Sequence, residues 1–257
     1  MTSFTPQLVA HRGYAHRYPE NTLLAIQAAV EAGARFVEFD ILLSSDQVPV
    51  LFHDRDLQRM CGVQGTIHEH TLSQLQALNV AESKTFADTY ATNTITTLEE
   101  IVSYLATVPD VTAFVELKRQ GLDAHGIDTF LDKVLPFLKP IAKQAVIISY
   151  SLEALLATQQ RSDYPLGAVF DLWQERNDPL IKQLRPDYLF TDIDDLPASG
   201  SLACPDNPDC RLAVYECVDP QKAIEVHQRG VDLVETFQIK EMLQALNDAR
   251  KSNDETL

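Results

Sequence analysis

No run of apolar residues in this 257-residue chain approaches the length of a membrane-spanning helix, which needs about 20 apolar positions in succession. The first residues, Met1-Thr2-Ser3-Phe4-Thr5-Pro6, carry neither a basic stretch nor an apolar one, so no secretion signal is read there and a cytoplasmic protein is expected. Cysteine is sparse. Cys61, Cys204, Cys210 and Cys217 show no Cys-x-x-Cys or His-linked spacing, which argues against a thiolate zinc site. Reduced thiols are the expectation for a large cytosolic chain. Cys204 and Cys210 flank a Pro- and Asp-rich loop and are left open as a pair, whereas Cys217 reads as a small core residue. Positive charge is also scarce, with 21 Lys and Arg against 37 Asp and Glu, a net charge of -16 and a pI near 4.7. Nucleic acid and anionic membranes both demand a basic face, so neither is an expected partner. Any phosphate-bearing substrate would have to find local positive charge inside this acidic chain. Internal repeats and low-complexity tracts are absent as well.

Hydrophobic residues make up 45% of the chain, enough for a large core. Strand-like apolar runs at 8–11, 36–41, 113–118, 145–149, 166–170, 188–191, 211–217 and 232–236 alternate with helical patterns at 22–32, 98–107, 125–138, 152–160, 179–184, 220–230 and 239–251. Strands alternating with helices imply parallel β-α units. Eight of them predict a TIM (β/α)8 barrel forming one catalytic domain over residues 1–257. An open doubly wound sheet is the alternative, but no Gly-rich phosphate loop follows the first strand. Residues 55–96 break the rhythm with polar turns around one helical stretch at 72–78. A connection this long is expected to be an insertion after the second strand that caps the site, the alternative being passive decoration.

Ionisable residues stand where packing alone would put apolar ones. Glu38 and Asp40 are two apart within Phe36-Val37-Glu38-Phe39-Asp40-Ile41, so they share one face of a strand, roughly 6–7 Å apart. Val37, Phe39 and Ile41 occupy the other face. Two carboxylates facing a barrel interior repel each other and are costly to desolvate unless a cation neutralises them. Oxygen donors of this kind suit Mg2+ or Ca2+ rather than zinc. Phe114-Val115-Glu116-Leu117-Lys118 repeats the pattern, bringing a third carboxylate and an ammonium suited to a phosphate oxygen. His11 and His53 each end an apolar strand, which puts two imidazoles at matching barrel positions. Beside a metal they are candidates for base and acid. Arg12 offers a planar fork for phosphate. In Pro19-Glu20-Asn21-Thr22, Asn21 is a candidate helix cap and Glu20 a candidate for orienting groups at the metal.

Together His11-Arg12-Gly13, Pro19-Glu20-Asn21-Thr22, Glu38-Phe39-Asp40, Val50-Leu51-Phe52-His53-Asp54 and Val115-Glu116-Leu117-Lys118 resemble the glycerophosphodiester phosphodiesterase family of TIM barrels. The resemblance implies metal ligation by Glu38, Asp40 and Glu116, acid/base roles for His11 and His53, and phosphate contacts from Arg12 and Lys118. It implies hydrolysis of glycerophosphodiesters to sn-glycerol 3-phosphate and an alcohol, with Mg2+ favoured over Ca2+ or another divalent cation. The expected partner is a small molecule, with no stable membrane association. Late in the chain the family pattern is replaced by Tyr215-Glu216-Cys217-Val218 and Leu233-Val234-Glu235-Thr236-Phe237, and Tyr215 and Glu216 are expected to reshape the pocket that receives the glycerol or alcohol portion. The alternatives are a phospholipase C- or D-like enzyme acting on intact lipids and a non-catalytic barrel that binds phosphate esters.

Overall fold

A computed structural model describes residues 4–86, 89–90, 92–203, 207 and 209–254. Its strands are β1 (Gln7–Ala10), β2 (Phe36–Leu43), β3 (Pro49–Leu51), β4 (Thr112–Leu117), β5 (Ala145–Ser149), β6 (Leu166–Phe170), β7 (Tyr188–Asp192), β8 (Arg211–Tyr215) and β9 (Leu233–Thr236). All except β3 run parallel, in the order β1-β2-β4-β5-β6-β7-β8-β9, and the β9–β1 pairing closes the ring. This is the expected closed eight-stranded barrel, and each expected run supplies one strand. The expected helices are present as well, among them Leu23–Glu31, Leu98–Leu105 and Ile127–Leu138. Arg119–His125 is an additional helix. It follows the Glu116-Lys118 strand without a turn signal and holds Gly121, so the sequence pattern did not mark it.

Strand alternation divides the apolar residues into two layers. Val37, Phe39, Ile41, Val115, Leu117, Ile147, Ala168, Leu212 and Val214 point outward into the layer beneath the helices. Val9, Phe114, Val146, Ile148, Val169, Phe190, Ala213 and Leu233 fill the barrel interior. Helix starts are satisfied locally: Thr97, Ser151 and Asp219 side chains each accept backbone N–H groups of the turns that follow, meeting the orphan donors of a first turn. Cys217 is buried in the outer layer, as expected. The open question of a Cys204–Cys210 pair falls on Cys204, outside the described residues. Among the described residues no helix is long and apolar enough to cross a membrane.

The structure differs from expectation around His53. Its strand, β3, is not a barrel strand: it turns back and pairs antiparallel with the far end of β2, Leu51 opposite Ile41 and Pro49 opposite Leu43. The return brings the Phe52 N–H to the Asp40 carbonyl at 3.1 Å. His53 thus reaches the level of Asp40 by a hairpin arm rather than by a position equivalent to that of His11. The insertion follows this arm. Its helices are short, Gln58–Cys61, Leu72–Leu75 and Ser83–Phe86, so the helix expected over 72–78 stops at Leu75. It is also less polar in effect than its composition suggests. Leu57, Met60, Ile67, Leu75, Val80 and Ile95 form a separate core with Leu42, Val50 and Phe52. These apolar residues are spaced without a helix or strand period, which hid the core from pattern reading.

Candidate active site

Asp40 and Glu116 are direct partners in the β2–β4 register, and Glu38 lies two residues before Asp40 on the same face. Each has one carboxylate oxygen within 4.8 Å of the other two, and all three residues are buried. Their apolar neighbours Val37, Phe39, Val115 and Leu117 sit in the outer layer, so alternation alone drives the acids inward. Lys118, just beyond β4, sets its Nζ 2.9 Å from Glu116 Oε1 and 3.2 Å from Asp40 Oδ1. Arg12 enters from the β1 side: its N–H donates to Glu38 Oε2 at 3.0 Å, and its Nε lies 3.4 Å from Asp40 Oδ2. Arg12 adopts φ 55°, a left-handed turn that few non-glycine residues take.

His11, at the end of β1, is buried and stacks on the Phe237 ring with centroids 4.8 Å apart. Its Nε2 is 3.8 Å from both Glu38 and Glu235, and its Nδ1 is 3.3 Å from Glu216. His53 is more exposed, and its Nδ1 shares a hydrogen bond with Asp54 Oδ1 at 2.9 Å. Tyr215 packs against the barrel interior, its hydroxyl donating to the Phe170 carbonyl at 3.1 Å and accepting from Tyr150 at 2.8 Å. The seven residues singled out by motif therefore gather at the C-terminal mouth of the barrel, where β-α loops converge in this fold, and Tyr215 lines the same interior.

Two expectations for Pro19-Glu20-Asn21-Thr22 are corrected. Thr22, not Asn21, caps the helix, its hydroxyl accepting the Ala25 N–H at 3.1 Å. Asn21 instead holds Asp40 from two sides, donating Nδ2–H to Oδ2 at 2.7 Å and accepting the Asp40 N–H at 3.0 Å. Glu20 is taken up by guanidinium groups, with Arg12 at 3.1 Å and Arg59 at 2.6 Å. Glu20, His53 and Asp54 also have mutually close ligand atoms, but Arg59 neutralises both of those carboxylates, which disfavours a cation there.

The electrostatics separate the acids. Burial pushes the Glu38 carboxyl well above its ordinary range, and Asp40, Glu235 and Glu116 add to the rise. Glu116 is raised for the same first reason, against the opposing pull of Lys118. Burial also acts upward on Asp40, but Lys118, Arg12 and His53 outweigh it and hold this carboxyl low. Burial, then the Arg12 charge, lowers the His11 imidazole.

Glu235 escaped the sequence analysis. It is buried, its carboxyl is raised first by burial and then by Glu116, and its Oε1 has no hydrogen-bond partner. The signal was present: an acid at an inward position two residues after Leu233 obeys the rule that revealed Glu38. Four carboxyl groups, Glu38, Asp40, Glu116 and Glu235, thus face two cations, Arg12 and Lys118. Glu38 Oε1 is buried without a hydrogen-bond donor, while Lys118 serves both Glu116 Oε1 and Asp40 Oδ1. An all-oxygen donor set with excess negative charge fits a hard divalent cation.

The model of the glycerophosphoryl diester phosphodiesterase family matches residues 11–236. Glycerophosphodiester phosphodiesterase 1 of Homo sapiens is 32% identical over 152 residues, 59% of this chain and 45% of that protein. A glycerophosphodiester phosphodiesterase of Bacillus altitudinis is 30% identical over 48% of this chain and 49% of its own length. The matched part of the chain thus spans less than half of these relatives. Among solved structures, a phosphodiesterase of Oleispira antarctica in complex with the product sn-glycerol-3-phosphate superposes with a TM-score of 0.81 at 24% identity, covering 95% of this chain and 98% of that one. A glycerophosphodiester phosphodiesterase of Thermotoga maritima gives 0.74 at 25% identity, covering 93% and 97%. With the family's pattern running from His11, just after the first strand, to Thr236 at the end of the last, this chain belongs to the glycerophosphoryl diester phosphodiesterase family.

Proposed function

We propose that this barrel hydrolyses glycerophosphodiesters to sn-glycerol 3-phosphate and an alcohol, with His11 and His53 transferring protons. The observation that carries this reading is the convergence of three buried carboxylates, Glu38, Asp40 and Glu116, on one point beside two imidazoles and two fixed cations. Mg2+ or Ca2+ held by these carboxylates would supply Lewis-acid polarisation of the phosphoryl oxygen, and Mg2+ is the favoured ion.

The chain's own groups do the rest. Arg12 and Lys118, held on Asp40, Glu20 and Glu116, orient the phosphate and offset the negative charge that grows on its oxygens. One imidazole takes the proton of the attacking hydroxyl, which belongs to water or to the glycerol 2-position. The other gives a proton to the departing alkoxide as the phosphorus–oxygen bond breaks. Where the 2-hydroxyl attacks, a water then opens the resulting cyclic phosphate to the monoester with the two imidazole roles reversed. Tyr215 and Tyr150 border the alcohol side. The insertion borders the entrance through Arg59, which reaches Glu20 and Asp54 and also pairs with Glu82. His11→Ala and His53→Ala are each expected to lose roughly 10²–10⁴ in turnover while retaining cation and product binding. Either variant turning over at the wild-type rate across pH would remove that residue from the reaction.

A further inference from the structure

The geometry points to Arg59, carried by the insertion, as the positioning residue for His53, acting through Asp54; this rests on the proton-transfer role given to His53 above. Asp54 Oδ1 meets His53 Nδ1 at 2.9 Å, and an ionised carboxylate only accepts. Nδ1 must therefore carry the hydrogen, which leaves Nε2 as the ring atom available to substrate. Asp54 is itself gripped by Arg59 in a fork, Nε to Oδ2 at 2.7 Å and Nη2 to Oδ1 at 2.9 Å. The same guanidinium forks Glu20, Nη2 to Oε1 at 2.6 Å and Nη1 to Oε2 at 3.0 Å, with Glu82 further off at 3.4 Å. Glu20 in turn binds Arg12. A continuous line of ion pairs, Arg12–Glu20–Arg59–Asp54–His53, thus joins the loop after β1 to the hairpin arm that delivers His53. Only a planar fork can hold two carboxylates in this way, and an ammonium cannot replace it.

Anchoring the insertion is a separate task, done by its apolar core. Leu57 and Met60, on either side of Arg59, are buried with Phe52 and Val50. The short helix Gln58–Cys61 is therefore seated without the guanidinium, and variants of Arg59 are expected to fold. In this account the insertion is a working part of the site, since it supplies the group that fixes one imidazole.

The test compares wild type, Arg59→Ala and Arg59→Lys as full-length chains. Glycerophosphocholine serves as substrate, Mg2+ affinity is followed by calorimetry, and His53 is followed by imidazole 15N NMR without Mg2+. In wild type the 15N shifts should report the Nδ1–H form of His53, and in both variants a mixture of tautomers. Turnover should fall about 10- to 100-fold, with KM and Mg2+ affinity within about threefold of wild type. Methylguanidinium should restore turnover to Arg59→Ala and not to Arg59→Lys. Unchanged His53 tautomers in Arg59→Ala would overturn the inference, as would a loss of turnover that appears only in KM. Inactive wild-type protein would sink the proposed function, while the NMR comparison would still decide the role of Arg59.

Discussion

Asp54 shows how much depends on a single residue at this site. Burial raises its carboxyl, but hydrogen bonds from His53 and Arg59 outweigh that and hold it below its ordinary value of 3.8. A carboxyl depressed by folding stabilises the native state at every pH above its unfolded value, and that stabilisation disappears as pH falls through the lower folded value. Wild type is therefore expected to exceed Asp54→Asn by roughly 1.5–3 kcal/mol at pH 7, the range for hydrogen bonds to charged groups. The gap should begin to narrow below about pH 4 and shrink progressively as the pH falls further. Urea unfolding at pH 7 and pH 3 measures it, and a gap that persists or widens in acid would contradict the pairing. At this scale the sequence was informative wherever an acid or imidazole broke an apolar run, as with Glu38, Asp40, Glu116 and His11. It was silent on Arg59 because an arginine among Gln58, Met60 and Cys61 breaks no pattern. The double grip on Glu20 and Asp54 arises only from residues distant in the chain.

Among the elements, short apolar runs alternating with helical patterns made the barrel strands legible, and every expected run became one. The hairpin arm was not legible. Pro49-Val50-Leu51 has the composition of a barrel strand, and strand direction is set by the return turn at residues 44–48 and by pairing with Leu42 and Leu43, which composition does not record. The insertion was misjudged for a related reason, since its apolar residues meet only after the chain folds back. Its core is distinct from the layer beneath the barrel helices, so the two should respond separately to damage. Leu57→Ala removes a fully buried side chain at a cost of about 2–5 kcal/mol. Limited proteolysis should then cut within residues 55–96 well before the barrel, with the far-UV circular dichroism of the barrel retained. Simultaneous loss of barrel and insertion would show that they form one cooperative unit.

Over the whole molecule, a net charge of -16 surrounds a mouth that carries Arg12, Lys118 and Arg59. The acidic exterior disfavours polyanions, while the inward cations and the carboxylate cluster are the groups that the proposed function assigns to one small phosphodiester and one divalent ion. That contrast was readable in advance from the position of the charges, since Arg12 and Lys118 directly follow inward-facing strands. The count of inward acids was not, because Glu235 was passed over. The central claim is that Glu38, Asp40 and Glu116 hold a divalent cation that phosphodiester cleavage requires. The most direct measurement is the release of glycerol 3-phosphate from glycerophosphodiesters by purified protein before chelation, after EDTA treatment and after Mg2+ or Ca2+ is restored. Release should stop with chelator, return with the cation, and fail to return in Glu38→Gln or Glu116→Gln. Release that continues undiminished in chelator, or that the Glu38→Gln chain performs as well as wild type, would contradict the claim.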